Sequence, residues 1–225
     1  AMGRPATDVA ALAVYLALAA TVAVGMFGHV QGGSMPASGW FGWHPLLMTL
    51  AFPCLMPVGR MAYTAQPTWR GLRSIEDRRA AHGTIMGLAA LAMIAGYVCI
   101  FKAHWPVKKF FGYDFATGHW AISARVAHAW VGYATIALTL FQAYVGASKA
   151  RALAASGEKK YRFHGQVGKA IMLMGGLAML LAIVFWAWST PLKILLILLL
   201  SVGLAIAMYS PRAEDAEAAP LKTGP

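Results

Sequence analysis

Seven histidines stand in the chain: His29, His44, His82, His104, His119, His128 and His164. Four of them, His44, His82, His128 and His164, fall near the beginnings of four successive apolar stretches. A neutral imidazole offers a lone pair to a metal, and an ionisable side chain within a membrane span points to function by default. If successive stretches cross a bilayer in opposite directions, His44 and His128 share one depth near one surface. His82 and His164 then share another depth near the opposite surface. Two imidazole pairs at two depths are what two iron porphyrins stacked across a membrane require. Two axial imidazoles fill both open positions of an iron, so such a site passes single electrons and binds neither O₂ nor a substrate directly. Taken singly, each histidine is more often a hydrogen-bonded packing residue than a ligand. The depth-matched set is what favours ligation.

Glycines accompany the histidines. Gly132 lies four residues after His128 and Gly168 four after His164, while Gly83 and Gly87 follow His82. Residues four apart share a helix face, and a glycine there removes the side chain that would collide with a flat macrocycle. Small residues also serve ordinary helix packing in membranes, so the glycines alone decide little. No Cys-x-x-Cys-His run occurs, so the expected cofactor is two non-covalent b-type haems. Cys54 and Cys99 are isolated within apolar stretches and read as small buried hydrophobes.

The elements that must carry these residues follow from composition. Hydrophobic residues make up 59% of the chain and charged residues only 12%, about half the charged share of a soluble domain. Apolar windows of about 20 residues are long enough to cross a bilayer as helices. Six spans are expected, at about 9–28, 44–63, 79–102, 122–148, 161–189 and 192–209. Lipid offers the backbone no hydrogen bonds, and the runs are continuous rather than alternating, so helices are expected and a β-barrel is not. The fold class is all-α: a polytopic bundle whose spans two to five form a four-helix core around the cofactors. Pro45 suits a first helical turn, Pro53 and Pro57 should bend the second span, and Pro191 separates the fifth from the sixth. One transmembrane domain covers 1–209, and the polar segment 210–225 reads as a flexible tail.

Six spans place both termini on one side, called face A here, with face B opposite. Of the basic residues, fourteen fall on face A and five on face B, which assigns face A to the cytoplasmic-type side. The net charge of +11 is spread over short loops between spans. It does not form a stripe on a soluble surface, which argues against a nucleic-acid partner. The bilayer itself is the first expected partner.

The stretch Phe41-Gly-Trp-His-Pro-Leu-Leu-Met48 resembles the WHPxLM signature of the cytochrome b561 family. Arg79-Ala-Ala-His82, His128-Ala-Trp-Val-Gly132 and Tyr161-Arg-Phe-His-Gly-Gln-Val-Gly168 are similar to its later histidine segments in order and spacing. The resemblance covers about residues 40–188. It implies a transmembrane oxidoreductase in which ascorbate at the cytoplasmic side reduces the near haem. The electron then crosses to the far haem and leaves to monodehydroascorbate or a ferric chelate. The family's pairing joins the histidines of spans two and four, and of spans three and five, in agreement with the depth argument.

Under that resemblance the basic loop residues become candidates for binding anions. On face A these are Arg78 and Arg79 before His82, and Lys159, Lys160 and Arg162 before His164. On face B they are Lys102, His104, Lys108 and Lys109, with His104 similar to a loop histidine that the family places near its outer substrate. The alternative is that these side chains anchor helix ends among the headgroups. The chain departs from the best-known members in two ways. Arginines largely replace the face-A lysines, and the 102–125 loop is longer and aromatic, with His119 as a rival ligand to His128. Two other functions compete with ascorbate-driven transfer: a quinol-dependent di-haem carrier, and a haem-bearing accessory subunit of a larger complex. A membrane-protein partner or a second copy of the chain fits either, and a solute carrier is a weaker choice.

Overall fold

The computed structural model describes residues 4–29, 32–63, 74–158 and 160–209. Six of its helical segments are long and apolar enough to cross a membrane, and the chain is an all-α polytopic membrane protein. The elements are α1 (Arg4–Phe27), α2 (Trp40–Thr49), a π-helical stretch (Leu50–Leu55), α3 (Met56–Met61), α4 (Ile75–His104), three short strands, α5 (Ser123–Ser156), α6 (His164–Phe185) and α7 (Thr190–Tyr209). The tail 210–225 lies outside the described residues.

Several boundaries differ from expectation, each for a local reason. The second span begins at Trp40, so Pro45 lies inside the helix rather than in its first turn. Its ring removes one backbone donor, and the Thr49 hydroxyl partners the Pro45 carbonyl at 2.7 Å. Pro53 lies within the π-helical stretch and Pro57 at the start of α3. The span thus absorbs its prolines by a local change of winding, as π-bulges do. The third span starts at Ile75 because Ser74 and Asp77 form a reciprocal capping box, which places His82 two turns into α4. The fifth span starts at His164 itself and ends at Phe185.

The core is two helix pairs. α2 packs along α4, α5 packs along α6, and α4 and α5 touch each other little. Gly96 lets α4 approach α2 closely, since a Cβ there would stand 3.1 Å from the Leu47 Cβ. Gly175 does the same between α6 and the π-helical stretch, where an added Cβ would lie 2.7 Å from Phe52. That contact falls at mid-depth, within a buried cluster that includes Ala51, Met56, Ala89, Met93, Ile171 and Met172. α1 and α7 flank the core, sealed by Leu18, Val22, Met26, Leu196 and Leu200. Large apolar side chains such as Leu16, Leu91, Tyr144 and Leu198 stay exposed on the outward helix faces, as lipid-facing surface should.

The 102–125 loop folds into a small antiparallel sheet, β1 (Lys109–Phe110), β2 (Tyr113–Asp114) and β3 (His119–Trp120). Gly112 is required at its first turn. Its φ is +78°, and a Cβ there would stand 2.7 Å from the Val126 Cα. The sheet docks by aromatic contacts: Phe110 on Phe101 at 5.6 Å, and Phe111 on Tyr133 at 4.9 Å. It therefore spans the gap between α4 and α5 at the face-B end.

Candidate functional site

The four core histidines face one another across the gap between the helix pairs. His44 of α2 meets His128 of α5 with ring centres 6.2 Å apart. His82 of α4 meets His164 of α6, also at 6.2 Å. Each couple takes one member from each helix pair. Two imidazoles bonded to opposite faces of one metal at about 2 Å place their ring centres about 6 Å apart, so both couples have the spacing of an axial pair.

Hydrogen bonding sets which nitrogen faces inward. The Nδ1 of His44 donates to the Gly96 carbonyl at 3.0 Å, that of His82 to Gly59 at 2.9 Å, and that of His128 to Ala178 at 2.8 Å. A carbonyl can only accept, so Nδ1 carries the proton and Nε2 keeps the lone pair. His164 differs. Its Nδ1 is buried without a partner among the described residues, as is the neighbouring Gln142 Oε1. The Gln142 amide instead donates to the His164 carbonyl. Gly146 makes room for the ring, because a Cβ there would stand 3.1 Å from its Cε1.

The space around the couples fits a flat macrocycle. A Cβ added at Gly83, Gly87 or Gly132 would meet nothing within 4 Å. Gly168 is turned elsewhere, toward Gln142 at 3.5 Å. A cavity of about 500 Å³ surrounds the His44–His128 couple and runs up beneath the small sheet, within the usual range for ligand pockets. Phe52 and Gly175 line its deep end, and His104, Lys109, Asp114, His119 and Arg125 line its mouth. Three histidine carbonyl bonds, two spacings of an axial pair and three open glycines together suit a haem at each level.

A family model for eukaryotic cytochrome b561 matches residues 43–190, which contain all four core histidines. The chain belongs to the cytochrome b561 family. No individual curated protein matches it. Membership makes this cytochrome b561 relative a haem b-binding membrane oxidoreductase that transfers electrons across the bilayer.

The expected anion-binding residues are placed as follows. Arg78 donates to the Ala62 carbonyl at 3.1 Å, Arg79 pairs with Glu76 at 3.7 Å, and Lys160 pairs with Glu158 at 3.1 Å. Arg162 is exposed, and Lys159 lies outside the described residues. On face B, His104 lines the cavity with its ring 6.1 Å from Phe41. Lys109 also lines it but is paired with Asp114 at 3.2 Å. Lys102 and Lys108 are exposed and do not line it. His119 sits on β3 at the cavity mouth, while the ring facing His44 is that of His128.

Sequence reading passed over two cations. Arg125 and Lys149 lie on α5, and each acts electrostatically on a histidine of one couple: Arg125 on His128, and Lys149 on both His82 and His164. A signal for Arg125 was present, since it precedes His128 by three residues as Arg79 precedes His82.

Proposed function

We propose that the chain carries single electrons from face A to face B through two b-type haems. One would be held by His82 and His164, and the other by His44 and His128. Ascorbate at face A is the donor, monodehydroascorbate or a ferric chelate at face B is the acceptor, and face A is the cytoplasmic-type side. The observation that carries this is the paired 6.2 Å spacing at two depths. A haem with two axial imidazoles supplies reversible one-electron transfer.

The chain's own groups do the rest. The carbonyls of Gly96, Gly59 and Ala178 fix three rings by their Nδ1 protons and leave each Nε2 directed into the gap. Phe52 packs on Gly175 at mid-depth, between the two couples, and both residues line the deep end of the outer cavity. At face A the Arg79–Glu76 and Lys160–Glu158 pairs are exposed. Such pairs contribute little, so an incoming anion displaces them at small cost. Lys149 adds positive potential beside the inner couple.

Purified protein mixed anaerobically with ascorbate is expected to develop reduced haem b absorbance within milliseconds to seconds. A haem-loaded preparation that ascorbate leaves oxidised, while a quinol at matched driving force reduces it, would replace ascorbate with a quinol donor.

A further inference from the structure

We propose that Arg125 binds a carboxylate at the rim of the outer cavity, and that this carboxylate is a propionate of the haem between His44 and His128. The proposal rests on the placement of a haem there.

Position comes first. Arg125 lies three residues before His128 on α5, about 4.5 Å nearer face B, and it lines the same cavity. A haem held between His44 and His128 would need its carboxylates satisfied, because unpaired carboxylates are costly within a bilayer. Arg125 lies on the face-B side of that couple, toward water, and is placed to meet one.

Preorganisation is the second ground. The Arg125 guanidinium lies over the Phe185 ring, 5.3 Å from its centre. Phe185 in turn meets the His128 ring edge-on at 5.6 Å. Stacking holds the planar fork in place, so little side-chain freedom is lost when it takes a carboxylate through two parallel N–H bonds.

Availability is the third. Among the described residues no carboxylate forms an ion pair with Arg125. Asp114, the acidic residue lining the cavity, is held by Lys109 and by the backbone N–H groups of Ala116 and Thr117. Lys109 is thereby committed as well. The same guanidinium chemistry would suit a carboxylate on a diffusible acceptor, and the test separates the two sources.

The test uses the full-length chain, first counted for haem. Arg125→Gln is expected to speed the loss of one haem to an excess of apomyoglobin by about tenfold or more. It should lower that haem's midpoint potential and leave the other haem unchanged. Arg125→Lys keeps the charge but loses the fork, so its rate should fall between the two. Parent-like loss and potential in Arg125→Gln would overturn the proposal. So would a rise in the KM for an anionic acceptor with haem retention intact, which would give the carboxylate to the acceptor. If Arg125→Gln does not accumulate, Arg125→Lys decides, and parent-like retention in it counts against the proposal. A parent protein with no haem at the outer level would sink the functional reading itself, and the initial count reveals that before any variant is made.

Discussion

An imidazole ring has two nitrogens, and spacing alone does not say which one faces a metal. In this chain three backbone carbonyls make that choice, each from a neighbouring helix. That the four rings would face one another as these two couples was legible in the sequence, because rings near the starts of alternating helices share a depth in only one pairing. The carbonyls were not, since any residue supplies one. Gly146, which admits the His164 ring, was equally hidden: it lies eighteen residues from that histidine, on another helix. Of the cradle glycines, Gly87 and Gly132 face open space, while Gly168 faces Gln142, a side chain that helical spacing could not foresee. At this scale the prediction is local. His82→Ala or His164→Ala should lower the haem count from two per chain to one and leave the other haem's spectrum intact, while His44→Ala should remove the complementary haem. A pyridine haemochrome assay reads the count. Two haems retained in any of these variants would show the pairing to be wrong.

Among the elements, the six helices were readable from apolar run length, and their ends were less so. The third span starts early because a capping box satisfies its first turn, and the second starts early because Pro45 is tolerated inside it. The small sheet in the 102–125 loop escaped sequence reading. Its strands are two residues each, too short to show alternation, and aromatic docking rather than strand propensity holds them. Asp114 is central to it. Partial burial works to raise its carboxyl, but hydrogen bonds from the Ala116 N–H, the Lys109 ammonium and the Thr117 N–H outweigh that and hold it below its ordinary value of 3.8. A carboxyl depressed on folding stabilises above its unfolded value and loses that contribution as pH falls through the folded one. Amide exchange in residues 109–120 should therefore keep constant protection from pH 7 to about 5 and lose it below about 4. Asp114→Ala should show the low-pH behaviour at pH 7. Protection independent of pH in the parent would remove this role from Asp114.

For the whole molecule, charge distribution predicts the orientation and helix pairing predicts how the halves meet. Cys54 and Cys99 are buried, so an added surface cysteine reports cleanly. With a membrane-impermeant maleimide on intact cells or organelles, Thr117→Cys in the turn between β2 and β3 should label at once, and Ser156→Cys at the end of α5 only after permeabilisation. The reverse pattern would place the fourteen basic residues of face A outside.

The arrangement of the couples has one more consequence. Because every couple draws one ring from α2–α4 and one from α5–α6, and α4 barely meets α5, iron held at either level as proposed would act as a rivet through two leaves of a hinge. Ligation energy would then go into closing the leaves as well as seating the cofactor, so insertion and the last step of assembly become one event. The first rivet would align the leaves and lower the entropic cost of the second, making the loading of the two levels cooperative without any contact between their cofactors.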